Sequence, residues 1–405
     1  MTALPDSGVH HDPAFVLAIN AGSSSIRFAL YDAGKTSARR LRGKIERIGL
    51  PDTTLTVDDL TGARTQSRAI DARDHSAAAG ELMNWLDEAR FLSALKAVGH
   101  RVVHGGPLYS APARVDDELV QALRGLSAYS PEHLPAEIDL IERFGRCLTN
   151  VPQVACFDTH FHRDMPRIAK LLPIPRRFDE KGIRRFGFHG LSYAFLMEEL
   201  ERVAGTGASR GRVILAHLGN GSSLAAVRQG TSADTTMAFT PAAGLPMSTR
   251  SGDLDPGLAW YLARTEGMSA EQFHRMVNHE SGLLGVSETS SDMRDLLARE
   301  SADVRAAEAV ALYCYQVSKS IGAFTVVLGG LDTLVFSGGI GENAPVIRSR
   351  ICERLGFLGV RLDDQANTAN EEVISAVAGA VSVRMIHTDE EAMIGRATER
   401  LLSGA

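Results

Sequence analysis

The sequence predicts an α/β protein built from two copies of one fold, and three observations carry that expectation. The first is a repeat. Val16-Leu17-Ala18-Ile19-Asn20-Ala21-Gly22-Ser23-Ser24-Ser25-Ile26-Arg27-Phe28-Ala29-Leu30 recurs in altered form as Val213-Ile214-Leu215-Ala216-His217-Leu218-Gly219-Asn220-Gly221-Ser222-Ser223-Leu224-Ala225, with Ser24 lying 198 residues before Ser222. The second is length, since 405 residues suit two or three domains that each bury a core. The third is pattern. Ile26, Phe28 and Leu30 alternate as in a strand, whereas Val310, Tyr313, Val317 and Ile321 fall at helical spacing, and such segments alternate along the chain.

Each copy of the repeat reads as a strand, a small-residue turn and a second strand. Gly and Ser let backbone N–H groups approach an anion and add hydroxyl donors, so two such turns facing each other suit a polyphosphate held in a nucleotide-binding cleft between two domains. Gly205-Thr206-Gly207-Ala208-Ser209-Arg210-Gly211 reads as a loop before the second hairpin. The crossover between domains is expected just after the strand-like segment that ends in Phe157-Asp158-Thr159.

Two motifs are decoys. Ala29-Leu30-Tyr31-Asp32-Ala33-Gly34-Lys35-Thr36 fits a relaxed P-loop, but Gly43-Lys44-Ile45-Glu46-Arg47-Ile48 downstream alternates like a strand where a P-loop needs a helix, so it reads as a hairpin turn. Gly339-Ile340-Gly341-Glu342-Asn343-Ala344 follows strand-like Leu334-Val335-Phe336-Ser337, precedes a helical pattern and imitates a dinucleotide fingerprint, with Asp363 and Asp364 about 20 residues on. Too little chain remains for such a domain. Its glycines suit close passage of the backbone beside a base or ribose.

The formal charge of −6, from 43 basic and 49 acidic residues, disfavours a nucleic-acid surface. No stretch reads as a membrane span and Met1 to Pro13 lacks a signal-peptide core, so a soluble cytoplasmic protein is expected. Cys147, Cys156, Cys314 and Cys352 form no Cys-x-x-Cys pair and read as buried apolar residues.

Eight segments, taken in order, resemble the blocks of the acetate kinase family. They are Asn20-Ala21-Gly22-Ser23-Ser24-Ser25, Gly99-His100-Arg101-Val102-Val103-His104-Gly105-Gly106, Phe157-Asp158-Thr159, Phe186-Gly187-Phe188-His189-Gly190, His217-Leu218-Gly219-Asn220-Gly221, Thr249-Arg250-Ser251-Gly252-Asp253, Ser291-Asp292-Met293-Arg294 and Gly338-Gly339-Ile340-Gly341-Glu342-Asn343. The resemblance implies two duplicated ribonuclease H-like domains with ATP in the cleft between them. The first comprises residues 1–158 plus 391–405. The second, 159–390, binds the nucleotide and carries the interface of a homodimer. The implied reaction is reversible, in-line, ATP-dependent phosphorylation of acetate or propionate to the acyl phosphate.

By the same resemblance, Arg101 and Arg250 are the active-site arginines, whose planar forks suit carboxylate and phosphoryl oxygens. His189 donates to the phosphoryl group, and Asp158 orients the arginines or ordered water. Asp158, His160 and His162 also read as one face of an extended segment, which mimics a metal site. Asn20 and Glu390 match the magnesium-site positions, with manganese as a substitute; Glu390 and Glu391 are chemically indistinguishable there. Arg27, His217, Leu218, Gly219, Asn220 and Gly221 are assigned to the phosphates, Asp292, Met293 and Arg294 to ribose and base, and Gly339, Ile340, Gly341, Glu342 and Asn343 to adenosine. Val103, His133, Phe188 and Pro241 line the acyl pocket.

Three departures from the family pattern stand out. Gly190-Leu191-Ser192-Tyr193 replaces a usual Gly-Thr-Ser-His, and Arg27 replaces a usual Lys. Glu132, within Ser130-Pro131-Glu132-His133-Leu134-Pro135, stands where a pocket-shaping Leu is usual. An ionised side chain is seldom buried without a partner, so Glu132 is expected to face solvent. A kinase for a longer or substituted acid is the alternative within the class, and an ATP-gated chaperone or actin-like binding protein the alternative outside it.

Overall fold

The computed structural model describes residues 14–22 and 24–404. The reading of Met1–Pro13 and the place of Ser23 in the first turn lie outside the described residues. Two compact units divide between Phe157 and Asp158 and again between Asp389 and Glu390, one residue ahead of the boundaries read from the sequence.

The first unit is built on an eight-stranded sheet of β1 (Phe15–Ala21), β2 (Ser25–Asp32), β3 (Lys35–Glu46), β4 (Thr54–Asp59), β5 (Arg64–Ala69), β6 (Leu95–Val102), β7 (Ala113–Arg114) and β8 (Gln153–Phe157), in the order β5-β4-β3-β2-β1-β6-β8-β7. The second unit carries β9 (Arg212–Leu218), β10 (Ser222–Arg228), β11 (Thr231–Thr235), β12 (Thr333–Ser337) and β13 (Ser382–Met385), ordered β11-β10-β9-β12-β13. The duplication is explicit in the pairing. In the first sheet, β3-β2-β1 are antiparallel and β1, β6 and β8 parallel; in the second, β11-β10-β9 are antiparallel and β9, β12 and β13 parallel. Each is a ribonuclease H-like domain.

β1 is buried along its whole length, as a central strand covered on both faces requires. Leu17 and Ile19 pack with Leu82, Leu86 and Phe144, and the helix Glu390–Ser403 covers the other face. A Cβ at Gly99 on β6 would sit 2.2 Å from Thr398 Oγ1 and 2.7 Å from Ile394 Cγ2, so glycine sets that close approach. Tyr31, on the outward rhythm of β2, is buried beneath Gly395 of the same helix. In the second unit, Val310, Tyr313, Val317 and Ile321 form the buried stripe of the helix Val304–Leu328. Asp303 caps its start and left-handed Gly329 ends it.

Three local expectations need correction. Thr206–Ser209 are helical: the helix Gly190–Ser209 kinks at Gly205 (φ 79°, ψ 168°) and resumes, so a loop-like composition marks the kink alone. Gly338–Asn343 is itself a short helix, and the expected helix follows it at Pro345–Glu353. Residues 158–162 are not extended, because β8 stops at Phe157 and Thr159 turns into a single 3₁₀ turn, His160–His162. Cys147 is exposed at the end of the helix Leu134–Cys147, whereas the other three cysteines are buried. The P-loop mimic is a hairpin turn, with Asp32 paired to Lys35 across Gly34 (φ 78°). No helix among the described residues is long and apolar enough to cross a membrane.

Candidate active site

In the first unit, the ends of β1 and β6 position the candidate groups. Asn20 is the penultimate residue of β1, and its cross-strand partner on β2 is exposed Arg27. The Asn20 amide donates from Nδ2 to Glu390 Oε2 at 2.8 Å and to Glu391 Oε1 at 2.9 Å. The two glutamates that the sequence could not tell apart therefore both meet one amide. Burial, then the Glu390 charge, push the Glu391 carboxyl above the usual range, against the pull of Asn20.

Arg101 donates from Nη1 to the Ala21 carbonyl at 2.7 Å. Behind it stands Glu137, a residue the sequence reading missed. This carboxylate, 3 % exposed, lies 3.5 Å from Arg101 Nη1 and accepts from the Val103 N–H at 2.9 Å. It occupies the otherwise apolar face of Leu134, Ile138 and Ile141, and a charge in such a stripe was the available signal. His104 is buried; its Nδ1 accepts from the Gly106 N–H at 2.7 Å, which puts the ring proton on Nε2. Val103 is buried, His133 precedes the helix Leu134–Cys147, and Glu132 is exposed.

The second unit brings His189, Gly221 and Arg250 together. His189 opens the helix Gly190–Ser209 in a left-handed conformation (φ 60°, ψ 24°). A Cβ at Gly221, in the turn between β9 and β10, would lie 3.1 Å from His189 Nε2 and 3.5 Å from Arg250 Nη1. Glycine keeps that space clear. Arg250 also donates to the Pro241 carbonyl at 3.2 Å. Behind His189, Ser223 Oγ lies 2.9 Å from Nδ1 and 2.5 Å from the Tyr193 hydroxyl. The His217 ring sits 4.3 Å from that of His189, and its Nδ1 meets Ser192 Oγ at 2.7 Å. Asp158, 1 % exposed, accepts at its carbonyl from the Gly190 N–H at 2.8 Å; a side chain at Gly190 would collide with that oxygen.

His162 belongs to the scaffold. Its ring nitrogens meet Ser232 Oγ at 2.8 Å and the carbonyl of buried Phe188 at 3.1 Å, and burial pushes its pKa down to about 4. His160 instead pairs with Arg163.

The remaining assigned residues fall in two places. Gly338 (φ 78°) packs on the Leu218 backbone, and a Cβ at Gly219 would lie 3.6 Å from the Gly339 amide nitrogen, so the hairpin turn and the Gly338–Asn343 helix adjoin. Gly339 itself faces open space. Ile340 packs against the core, Asn343 Nδ2 donates back to the Gly339 carbonyl, and Glu342 accepts from the Gly338 and Thr388 N–H groups. Asn220 is exposed and accepts from Ser248. Arg348, another residue the sequence did not flag, is fully buried and donates to the Gly341 and Glu342 carbonyls at 2.8 and 3.0 Å. Asp292 and Arg294 pair at the start of the helix Met293–Arg299. The Met293 side chain is buried in the core cluster with Leu296. Among the described residues no cluster of three His, Cys, Asp or Glu could hold a metal ion.

The sequence model of the acetokinase family matches residues 15–396. Acetate kinase from Rhodopseudomonas palustris is 42% identical over 394 residues, covering 96% of this chain and 98% of that protein. Propionate kinase from Citrobacter rodentium is 41% identical over 393 residues, covering 95% and 96%. Among solved structures, a propionate kinase from Francisella tularensis superposes with a TM-score of 0.89 at 33% identity, covering 96% of this chain and 99% of that one. Porphyromonas gingivalis acetate kinase gives 0.85, also at 33% identity, covering 96% and 100%. The chain belongs to the acetokinase family, and is a kinase that transfers phosphate from ATP to a short-chain carboxylate.

Proposed function

We propose that the preferred acceptors are acetate and propionate. The observation that carries the site assignment is the approach of His189 Nε2 and Arg250 Nη1 to the same cleared space at Gly221. Acyl phosphate formation joins two anions while charge spreads over the transferred phosphoryl oxygens. Arg101 and Arg250 supply the positive charge, each as a planar fork, and His189 donates from Nε2 to a phosphoryl oxygen. No base is required, because the carboxylate is already ionised at neutral pH. Asp158 orients the cationic groups. Arg27 and His217–Gly221 attend the phosphates, Asp292 and Arg294 the ribose, and Gly339–Asn343 the adenosine, with Met293 acting through its backbone. Val103, His133, Phe188 and Pro241 receive the acyl chain.

Asn20, Glu390 and Glu391 are hard oxygen donors in which two carboxylates crowd one amide, a set that suits magnesium. They would hold the ion, which when bound neutralises phosphate charge. Glu390→Gln and Glu391→Gln should each raise the magnesium concentration needed for half-maximal rate. Unchanged magnesium dependence in both would move the site elsewhere.

Hydroxylamine trapping of the acyl phosphate, run with ATP and a panel of acids, tests the substrate. Acetate and propionate should give hydroxamate fastest; a faster hydroxy or amino acid would displace them. Because Glu132 is exposed, Glu132→Leu should leave the Michaelis constant for acetate nearly unchanged. A large fall would put that carboxylate in the pocket.

The homodimer is assigned to the helices Gly257–Thr265 and Ala270–His279, neither of which buries a residue and which expose Trp260 (71%) and Tyr261 (57%). Trp260→Glu should shift sedimentation toward monomer. A monomeric wild-type protein would refute the assignment.

A further inference from the structure

Tyr193 stands where the family pattern usually has His, and its surroundings give that departure a consequence. Tyr193 and Ser223 are both fully buried. Among the described residues the Tyr193 hydroxyl has one hydrogen-bond partner, Ser223 Oγ at 2.5 Å, and Ser223 Oγ has one other, His189 Nδ1 at 2.9 Å. Counting protons fixes the direction. If Tyr193 donates to Ser223 and Ser223 donates to Nδ1, every hydrogen has an acceptor and the imidazole proton must sit on Nε2. If Nδ1 carries a proton, in the other tautomer or in the imidazolium, three donors share two hydroxyl oxygens in a row. One buried hydrogen then goes without an acceptor, which is costly.

We propose that Tyr193 and Ser223 form a one-way donor chain that holds His189 as a neutral imidazole with its proton on Nε2, the atom facing the cleared space at Gly221. They are positioning residues, and the proposal rests on the reading of His189 as the phosphoryl donor. A histidine at 193 would lack this effect, because an imidazole nitrogen can accept from Ser223 and let the chain run in reverse. Charged or titratable groups near the chain include Arg250 beside Gly221, the tilted His217 ring 4.3 Å from that of His189, Asp158 behind Gly190 and His162 against the Tyr193 ring.

The test is imidazole ¹⁵N NMR on protein labelled at histidine, with His189 assigned by the signal lost in His189→Asn. Wild-type protein should show the neutral Nε2–H tautomer, titrating below the ordinary histidine value. Tyr193→His should mix the tautomers and raise the His189 pKa by about 1, because Nδ1–H can then donate to Ser223 and Ser223 to the new ring nitrogen with no hydrogen left over. Tyr193→Phe is the control: a protonated Nδ1 would still leave the Ser223 hydrogen without an acceptor, so His189 should keep the wild-type tautomer and a lowered pKa. An Nδ1–H tautomer in the wild type, or an unmoved pKa in Tyr193→His, overturns the chain. The readout does not depend on turnover, whereas near-normal turnover in His189→Asn would defeat the donor role and leave the tautomer result intact.

Discussion

Arg101→Ala and Arg250→Ala should each lose about 10²–10³ in turnover at saturating ATP and acetate, with the fold unchanged by circular dichroism. The reason is charge balance. The attacking carboxylate and the γ-phosphate are both anionic, and truncating either guanidinium removes a cation that need not reorganise during the transfer. Arg250 is anchored by the Pro241 carbonyl and Arg101 by the Ala21 carbonyl, so each fork is already aimed. Lysine keeps the charge but loses the planar fork, so Arg250→Lys should recover only part of the rate. An alanine variant with near-normal turnover would remove that arginine from the chemistry.

Glu137→Ala should cost about 2–4 kcal/mol of stability and slow turnover as well. Its carboxylate is buried, accepts the Val103 N–H and sits beside Arg101. Removing it strands a buried N–H and leaves the guanidinium without its nearby negative charge. Glu137→Gln separates the two effects, because an amide oxygen still accepts from Val103 while the charge on Arg101 is no longer balanced. The denaturation midpoint should then stay near wild type while turnover falls. Wild-type stability in Glu137→Ala would mean that the helix Leu134–Cys147 relaxes enough to let water replace the carboxylate.

The duplication was legible because a hairpin leaves a local signature: two apolar runs around a small-residue turn, repeated half a chain apart. Arg101, His189 and Arg250 were legible only through the segments around them, since a lone arginine or histidine carries no such mark. Glu137 was hidden because its partners are a backbone N–H and a side chain more than thirty residues away. Tyr193 was visible as a departure, but its meaning needed the distance to Ser223 on another element. Residues 158–162 failed for a different reason. Alternating histidines imitate a strand, yet the sheet offers no neighbour past Phe157, and the chain turns. At Gly205 the small residues permit a kink, and the flanking helical segments continue around it.

The left-handed backbone at His189 sets the direction in which this enzyme would drift if stability alone were selected. A side chain other than glycine in that conformation costs of order 1 kcal/mol, and the cost is borne at the residue whose ring must face Gly221. His189→Gly should therefore relieve backbone strain while abolishing the donor. A library screened for heat resistance would enrich glycine or asparagine at this position, and one screened for acyl phosphate would restore histidine.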